Sequence, residues 1–340
     1  MISDSIVEPR HLEIERASIA AAAEQMRQQI ERALVLSVPK LPASLYDPVR
    51  YILDAGGKRV RPVLTGLAAK AAGAGPNTSW ISAAIAVELL HTFTLIHDDI
   101  MDKAESRRGK PTVHIAFGSD AAILSGDVMI ALALESLSHH AEHSHELLEE
   151  FSLGFKRVCE GQAFDKEFET RHDISMDDYH QMILLKTSSI FELAATLGAY
   201  AAGGRIVEPL RQFARHTGLA FQMLDDLLDL TADHAAFGKT IGGDVLEGKR
   251  TFLFVEAMGQ YAKMTSGDRA LMDRIAAHQS KLDDVPLARE LFDRLGVLQT
   301  TRAMIQKETE LAQLALQRVP NPRDRAALVA FSEYLLGRSI

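Results

Sequence analysis

The chain has 340 residues, 47% of them hydrophobic, a formal net charge of -9 and one cysteine. It can bury a sizeable core without disulfides, and the lone Cys159 excludes an intrachain disulfide and a cysteine-based zinc cluster. The acidic balance argues against a nucleic-acid partner, whereas basic clusters at 58–61, 107–110 and 239–250 are compatible with an anionic small molecule.

Along the chain, segments rich in Ala, Leu, Glu, Met and Gln carry apolar residues at helical spacing, which predicts an all-α protein. The first 31 residues lack the features of a signal peptide, and together with the lone cysteine this predicts a cytoplasmic protein. Ser175 followed by Asp178 predicts a capping box. Gly, Pro, Asn and Ser predict loops at 38–48, 72–79, 109–112, 172–178, 203–209, 231–244 and 319–324.

The segment from Trp80 to Met101 is apolar nearly all round, which is typical of a membrane span or of the central helix of a bundle. Polar residues such as Glu88 and His97 interrupt it before the ~20 apolar residues of a span, so a buried central helix is predicted. That helix ends in Asp98 and Asp99. Carboxylates at the end of a buried helix are costly unless a cation is bound, which indicates a site.

Residues 98–102 read DDIMD, so Asp98 and Asp102 would lie one helical turn apart on one face, with Cβ atoms about 5–6 Å apart. Mg²⁺ commonly takes one or two carboxylates plus waters and phosphate oxygens. A single DDxxD is also explained by a solvated acidic helix end, but the pattern recurs behind another apolar stretch. If the two helices face each other, several divalent cations would be needed to offset the repulsion among the four to six carboxylates around one cavity. The two motifs supply Asp98, Asp99, Asp102, Asp225, Asp226 and Asp229.

Basic residues flank the first acidic motif. Residues 56–62 form a glycine turn leading into a helix, with Lys58 and Arg61 both within reach of one phosphate. Arg107 and Arg108 precede a glycine and a proline that should break the helix, so the arginines can fold over the site. Guanidinium groups pair well with phosphate oxygens. For any one of these residues alone, a solvated surface charge is the better explanation, but their grouping favours phosphate binding.

Several motifs follow in one order: GGKRVRP at Gly56, LIHDDIMD at Leu95, RRGKPTVH at Arg107, ILSGD at Ile123, GQ at Gly161 with Asp165, KT at Lys186, FQMLDD at Phe221, then GK, GGD and EGKRT from Gly238 onward. Over about residues 45–255 they resemble the polyprenyl synthetases, or trans-isoprenyl diphosphate synthases, most closely geranylgeranyl diphosphate synthase. The resemblance implies an isoprenoid synthase fold, an antiparallel helical bundle around a deep central cavity. It also implies a homodimer, and residues 1–340 are predicted to form one domain.

The resemblance assigns roles to individual residues. The diphosphate of isopentenyl diphosphate would be held by Lys58, Arg61, His91 and Arg108. The allylic diphosphate would be held by Arg107, Lys186, Thr187, Gln222, Lys239 and Lys249. Three Mg²⁺ ions are expected, with Asp98, Asp102 and Asp225 as metal ligands. The catalytic set comprises Asp98, Asp99, Asp102, Asp225, Asp226, Asp229 and Lys186, in which Asp99, Asp226 and Asp229 are supporting carboxylates.

Three nearby polar residues are left outside the primary site. His97 lies in an apolar helix, where a histidine is usually a hydrogen-bonded core residue. Gln162 and Asp165 lie near the expected cavity by the resemblance, but a solvent-facing helix surface also explains their spacing.

The reaction implied is head-to-tail condensation of isopentenyl diphosphate with an allylic diphosphate. Metal ions and cations would stabilise the leaving diphosphate, which itself takes the proton released at the end. A class I terpene cyclase would share the first motif, but its second metal motif typically reads N/D-D-x-x-S/T-x-x-x-E, whereas a plain DDxxD begins at Asp225. A noncatalytic partner subunit often loses the aspartates or basic residues that are intact here.

Product length in such enzymes depends on where a bulky side chain closes the hydrocarbon tunnel. Phe93 lies five residues before Asp98, about 7.5 Å along the helix, although Thr94 is closer to the face of Asp98. The resemblance favours Phe93 as the stopper and a C20 product, with C15, C25 or longer chains as alternatives. A phenylalanine that merely packs between helices remains a second interpretation.

Overall fold

The computed structural model describes residues 7–75, 79–140, 143–171, 173–232 and 242–337, with the backbone alone for residues 7–17. Within these residues the chain is predominantly helical with almost no strand, which confirms the all-α prediction. The α-helices are α1 Val7–Ser37, α2 Ala43–Leu53, α3 Val60–Ala71, α4 Trp80–Met101, α5 Val113–Phe117, α6 Ser119–Ser138, α7 Ser144–Phe168, α8 Met176–Ile183, α9 Ser189–Ala201, α10 Val207–Thr231, α11 Gly243–Glu247, α12 Phe252–Met258, α13 Ser266–Ala276, α14 Asp284–Arg294, α15 Val297–Leu316 and α16 Pro322–Leu336. A π-helical turn at Leu184–Ser188 joins α8 to α9, and a 3₁₀ turn lies at Tyr261–Lys263. The strands β1 Ser106–Arg107 and β2 Lys110–Pro111 pair antiparallel.

The chain divides into two compact units. The first unit comprises Met1–Phe155, Leu193–Arg211 and Arg318–Phe331. The second unit comprises Lys156–Glu192, Gln212–Gln317 and Ser332–Ile340. The assignment of residues 1–340 to one domain stays a prediction.

Helix α4 is the central element of the first unit, as the sequence predicted. It packs against α1, α3, α5 and α6. Residues with no exposed surface, among them Ala84, Val87 and Leu90, fall on several sides of the helix. Because buried residues lie on several sides of the helix, an apolar surface nearly all round is stabilising here.

Three helical stretches are long and apolar enough to cross a membrane by length and composition alone. They are Trp80–Met101, Ser119–Ser138 and Met176–Ala201. Each contains an apolar window of 18 residues, and 56%, 39% and 83% of these windows, respectively, are buried inside the protein. Helix α4 meets this condition despite its interrupting polar residues, whereas α6 leaves most of its window outside the core.

The second unit has its own hydrophobic core, to which α8 and helices α11 to α15 contribute. Tyr179, Phe252 and Phe292 are among its nearly fully buried side chains. Helix α8 begins with the predicted capping box: the Ser175 hydroxyl accepts a hydrogen bond from the Asp178 N–H, and the Asp178 carboxylate accepts one from the Ser175 N–H. The helix start is therefore fixed locally.

Some predicted loops are shorter than expected because the following helix begins inside them. Helix α2 starts at Ala43 and contains Pro48, within the predicted loop 38–48. Val49, Ile52 and Leu53 are buried, so packing of this face overrides the turn signal of the proline. Helices α10 and α16 likewise begin within the predicted loops 203–209 and 319–324.

Candidate active site

In the first unit, residues 56–59 precede α3 and form a loop that we call the basic loop. A buried ion pair fixes this loop to α4. Arg59 has a left-handed backbone with φ 48° immediately before α3. Its guanidinium donates a hydrogen bond of 2.6 Å to the Leu53 carbonyl and pairs with Glu88 of α4. Both charged side chains are almost completely buried. This anchor leaves Lys58 exposed and places Arg61 in the first turn of α3.

The His91 side chain lies beside Arg61, with 3.2 Å between Nε2 and the Arg61 Nη1. Burial, followed by the charges of Arg61 and Arg108, holds the pKa of His91 well below its usual value, so the ring is neutral. A guanidinium can only donate, so Nε2 accepts and Nδ1 carries the proton. His91 Nδ1 is buried and has no hydrogen-bond partner among the described residues.

The first aspartate motif divides into an inner and an outer part. Asp99 is 2% exposed, and Arg107 donates to its two oxygens over 2.7 to 2.9 Å. Asp98 is half-buried and Asp102 is exposed. Asp102 follows the last residue of α4, and its N–H donates to the Asp98 carbonyl over 2.8 Å, so the two remain one turn apart. A hydrated cation can therefore reach Asp98 and Asp102, whereas the Asp99 carboxylate is bound by Arg107.

Arg108 lies in the tip of the β1–β2 hairpin. Arg108 and Gly109 have φ values of 53° and 75°, the left-handed pair that a two-residue hairpin turn requires. The Arg108 guanidinium donates to the Gly56 carbonyl of the basic loop. The predicted break after the arginines is therefore a hairpin that returns Arg108 to this loop. Around α4 the first unit thus gathers Arg61, His91, Arg107 and Arg108.

In the second unit, a pocket of about 170 Å³ contains the second aspartate motif, and we call it the carboxylate pocket. It gathers most of the residues predicted for the allylic side, although Lys239 lies outside the described residues. Its lining comprises Asp165, Tyr179, Met182, Ile183, Lys186, Thr187, Gln222, Asp225, Asp226, Asp229, Asp244, Lys249, Arg250 and Thr251.

Asp226 is the buried centre of a hydrogen-bond network in this pocket. Its oxygens accept from the Gln222 amide at 2.8 Å, the Tyr179 hydroxyl at 2.7 Å and the Phe252 N–H at 3.0 Å. The Thr187 hydroxyl donates to the Gln222 carbonyl oxygen over 2.7 Å. Burial raises the pKa of Asp226 to about 6, although these donors oppose the rise. Asp226 therefore orders the residues around it.

Two residues that the sequence left outside the site are buried or lie in the pocket. The Asp165 carboxylate accepts a hydrogen bond of 2.6 Å from the Lys186 ammonium, so a purely solvent-facing surface is the wrong description of it. Gln162 is only 9% exposed, and its amide atoms have no partner within the described residues. Tyr179, which the sequence did not single out, lies seven residues before Lys186 on the preceding helix.

Asp244 is a further carboxylate in the pocket, and its GGD motif was noted in the sequence without a role. Its N–H donates to an Asp229 oxygen over 3.0 Å, which fixes the segment after the second motif. Burial chiefly, with the charge of Asp229, raises the pKa of Asp244 above its usual value, against the effect of Lys249. The Lys249 ammonium lies 3.5 Å from Asp244 and 2.8 Å from Glu247.

Within the described residues, no three His, Cys, Asp or Glu side chains converge closely enough to hold a metal ion by themselves. The donor set nevertheless fits magnesium, because its members are carboxylate oxygens that remain partly exposed at Asp98, Asp102 and Asp225. Mg²⁺ usually keeps several waters and completes its shell with phosphate oxygens. An ion at either motif would therefore need substrate or water oxygens as well.

Phe93 belongs to an aromatic cluster of the first unit. Its ring meets the Phe155 ring edge to face, with centroids 5.4 Å apart, and the His97 ring at 4.4 Å. His97 also approaches the Ile123 carbonyl, with Nε2 at 3.4 Å. The neighbouring Thr94 hydroxyl donates to the His91 carbonyl over 2.8 Å. Phe93 and Phe155 are both half-buried.

Known proteins of one family resemble this chain both in sequence and in structure. Residues 42–291 match the family model for polyprenyl synthetase. A geranylgeranyl diphosphate synthase of Methanosarcina mazei is 35% identical, over 87% of this chain and 90% of its own. A geranylfarnesyl diphosphate synthase of Aeropyrum pernix is 36% identical, over 82% and 89%. The crystal structure of a geranylgeranyl pyrophosphate synthetase from Pyrococcus horikoshii superimposes with a TM-score of 0.87 at 31% identity, covering 95% of this chain and 99% of that one.

Proposed function

The chain belongs to the polyprenyl synthetase family, and we propose that it condenses isopentenyl diphosphate head to tail with an allylic diphosphate to give C20 geranylgeranyl diphosphate. It is a trans-prenyltransferase with the isoprenoid synthase fold that the sequence predicted. The observation that carries the proposal is the carboxylate pocket, where Lys186 and Thr187 lie beside the second aspartate motif. A diphosphate bound with magnesium needs both cationic donors and carboxylates.

The two diphosphates would be held by different residues. Isopentenyl diphosphate would take Lys58, Arg61, His91 and Arg108. Since His91 is neutral, its Nδ1–H would donate to a phosphate oxygen while Arg61 supplies charge. The allylic diphosphate would take Arg107, Lys186, Thr187, Gln222, Lys239 and Lys249.

Magnesium would be held by Asp98, Asp102 and Asp225, with three ions per site and with Asp99, Asp226 and Asp229 in support. Bound Mg²⁺ would offset the charge that develops on the leaving diphosphate. The partners of Asp99 and Asp226 support this division, since Arg107 engages the buried Asp99 and the buried Tyr179 engages Asp226.

In the reaction, the C–O bond of the allylic diphosphate breaks, and the C=C bond of isopentenyl diphosphate attacks the resulting cation. Lys186 and Thr187 would stabilise the departing diphosphate, which takes the proton lost from the condensed intermediate. Tyr179 is a hydrogen-bond donor here, not a base, because burial and Asp226 raise the pKa of its hydroxyl well above the usual value.

The proposed product length rests on Phe93. Its ring and that of Phe155 form a bulky aromatic wall about one and a half turns before Asp98 on α4. The archaeal relatives named for C20 and C25 products resemble the chain to a similar degree, so C25 is an alternative, as are C15 and longer chains.

We propose that the protein is a cytoplasmic homodimer without a membrane span or a nucleic-acid partner. Support for the dimer comes from α6, whose side chains Ile123, Leu124 and Leu134 are 44%, 56% and 38% exposed. A second copy of the chain would cover this apolar face. Light scattering of the wild type and of Leu124→Glu tests it: a dimer that becomes a monomer is expected, and a monomeric wild type contradicts it.

The activity is tested by incubating the purified chain with Mg²⁺, isopentenyl diphosphate and geranyl or farnesyl diphosphate. Inorganic diphosphate should be released only when both substrates are present, and mass spectrometry should identify a C20 diphosphate. Release from the allylic substrate alone would indicate a terpene cyclase. Release from neither combination would indicate a noncatalytic partner subunit.

A further inference from the structure

The π-helical turn Leu184–Ser188 carries both Lys186 and Thr187. Such wide turns are rare and occur frequently at functional sites, where they redirect side chains. In the second unit this turn is approached from α7 on one side and from α10 on the other. Each helix offers a glycine and, one helical turn later, a polar side chain.

Helix α7 approaches the turn through Gly161 and Asp165. A Cβ atom at Gly161 would lie 2.2 Å from the Lys186 nitrogen and 2.5 Å from its Cα, distances that real Cβ atoms essentially never show. The atoms it would meet belong to the backbone, so rotation of a side chain cannot relieve the overlap. Four residues later, Asp165 accepts a hydrogen bond of 2.6 Å from the Lys186 ammonium. Helix α7 therefore contacts both the backbone and the ammonium group of Lys186.

Helix α10 repeats this arrangement through Gly218 and Gln222. A Cβ atom at Gly218 would lie 2.7 Å from the Ser188 Cα. Four residues later, Gln222 accepts a hydrogen bond of 2.7 Å from the Thr187 hydroxyl. The Ser188 hydroxyl donates to the Arg215 carbonyl over 2.7 Å, which adds a further link to α10.

We propose that Gly161 and Gly218 are positioning residues that set Lys186 and Thr187 for the allylic diphosphate. The inference rests on the proposed function. Both glycines allow a helix to touch the turn at its backbone, and in both cases the same helix binds the adjacent functional side chain one turn later. A larger residue at either position would displace the π-helical turn from Asp165 or Gln222. The positions of Lys186 and Thr187 in the carboxylate pocket therefore depend on glycine at 161 and 218.

The distances give the expected order of effects. Ordinary contacts begin near 3.4 Å, so Gly161→Ala requires a displacement of about 1 Å and Gly218→Ala a smaller one. A misplacement of about 1 Å can reduce catalysis roughly 10²-fold. We therefore expect kcat/KM for the allylic substrate to fall roughly 10²-fold in Gly161→Ala, and less in Gly218→Ala.

The matched control is Gly154→Ala, also on α7. A Cβ atom there would meet the buried Leu193 side chain, with its Cδ2 at 2.9 Å and its Cβ at 3.2 Å, and the three nearest atoms include no backbone atom and no atom of the turn. Alanine favours a helix over glycine at all three positions, so propensity alone predicts no loss. Steady-state kinetics for each substrate, thermal unfolding, and binding of the unreactive analogue geranyl S-thiolodiphosphate should be measured for each variant.

The expected result is weaker analogue binding and a raised allylic KM in both test variants, with the KM for isopentenyl diphosphate and the Gly154→Ala control nearly unchanged. Adding Gly161→Ala to Lys186→Ala should cost much less than Gly161→Ala alone, because both act on one contact. Unfolding of both test variants, equal losses for both substrates, or additive losses would assign the glycines to packing and overturn the proposal. An inactive wild type would instead refute the proposed function.

Discussion

The buried pair of Arg59 and Glu88 allows a strong test of how the basic loop is held. Their side chains are 6% and 4% exposed, and they lie 29 residues apart in the sequence. Glu88→Ala would leave the buried Arg59 guanidinium with its hydrogen bond to the Leu53 carbonyl and a more distant ion pair with Glu31, at 4.0 Å. Removing one partner of a buried ion pair typically costs about 3–5 kcal/mol, because the other charge stays desolvated.

We therefore expect Glu88→Ala to lower the free energy of unfolding by about 3 kcal/mol or more. Glu88→Gln keeps an acceptor and should lose less. A suitable control is Glu160→Ala, which removes an exposed pair with Lys156 whose charged atoms are 4.0 Å apart, and surface pairs of this kind contribute about 0–1 kcal/mol. Urea denaturation followed by circular dichroism measures all three.

A functional consequence should accompany the loss of stability. If Arg59 fixes the loop that carries Lys58 and the start of α3, the KM for isopentenyl diphosphate should rise in Glu88→Ala under conditions where the protein remains folded. The allylic KM should change less. A loss of stability no larger than that of Glu160→Ala, together with an unchanged KM for isopentenyl diphosphate, would refute this reasoning.

Three further predictions concern the metals, the product and pH. Asp98→Asn and Asp225→Asn should each reduce turnover by orders of magnitude without unfolding the protein, as should chelation of Mg²⁺, and near-normal turnover in both variants would contradict the metal assignment. Phe93→Ala should lengthen the products seen by chromatography, whereas an unchanged product from an active variant would place the tunnel floor elsewhere. Because the pKa of Asp226 rises from 3.8 to about 6 on folding, the folded state binds more protons between these values, and metal-free stability should fall as pH rises through them. Tyr179→Phe removes a donor that lowers this pKa, so the fall should extend to higher pH; urea denaturation at several pH values checks this, and an identical pH dependence would contradict it.

The sequence alone was sufficient for features that depend on local pattern. Helix α4 has the predicted bounds because apolar residues at helical spacing continue from Trp80 to Met101, with only single polar residues or short polar groups between them. The capping box at Ser175 was predictable because its two partners are three residues apart. The ordered motifs also predicted the family, since each of them is short and contiguous.

Only the tertiary structure decided which member of each motif is buried and what it contacts. Asp98 and Asp99 are indistinguishable by composition, yet Asp99 alone is buried and bound by Arg107. Asp226 meets Tyr179 across 47 residues, and Gly161 is required by a backbone 25 residues away at Lys186. Such contacts depend on how helices distant in sequence pack together. Hydrophobic periodicity indicates which face of a helix is buried, but it does not indicate which other helix covers that face.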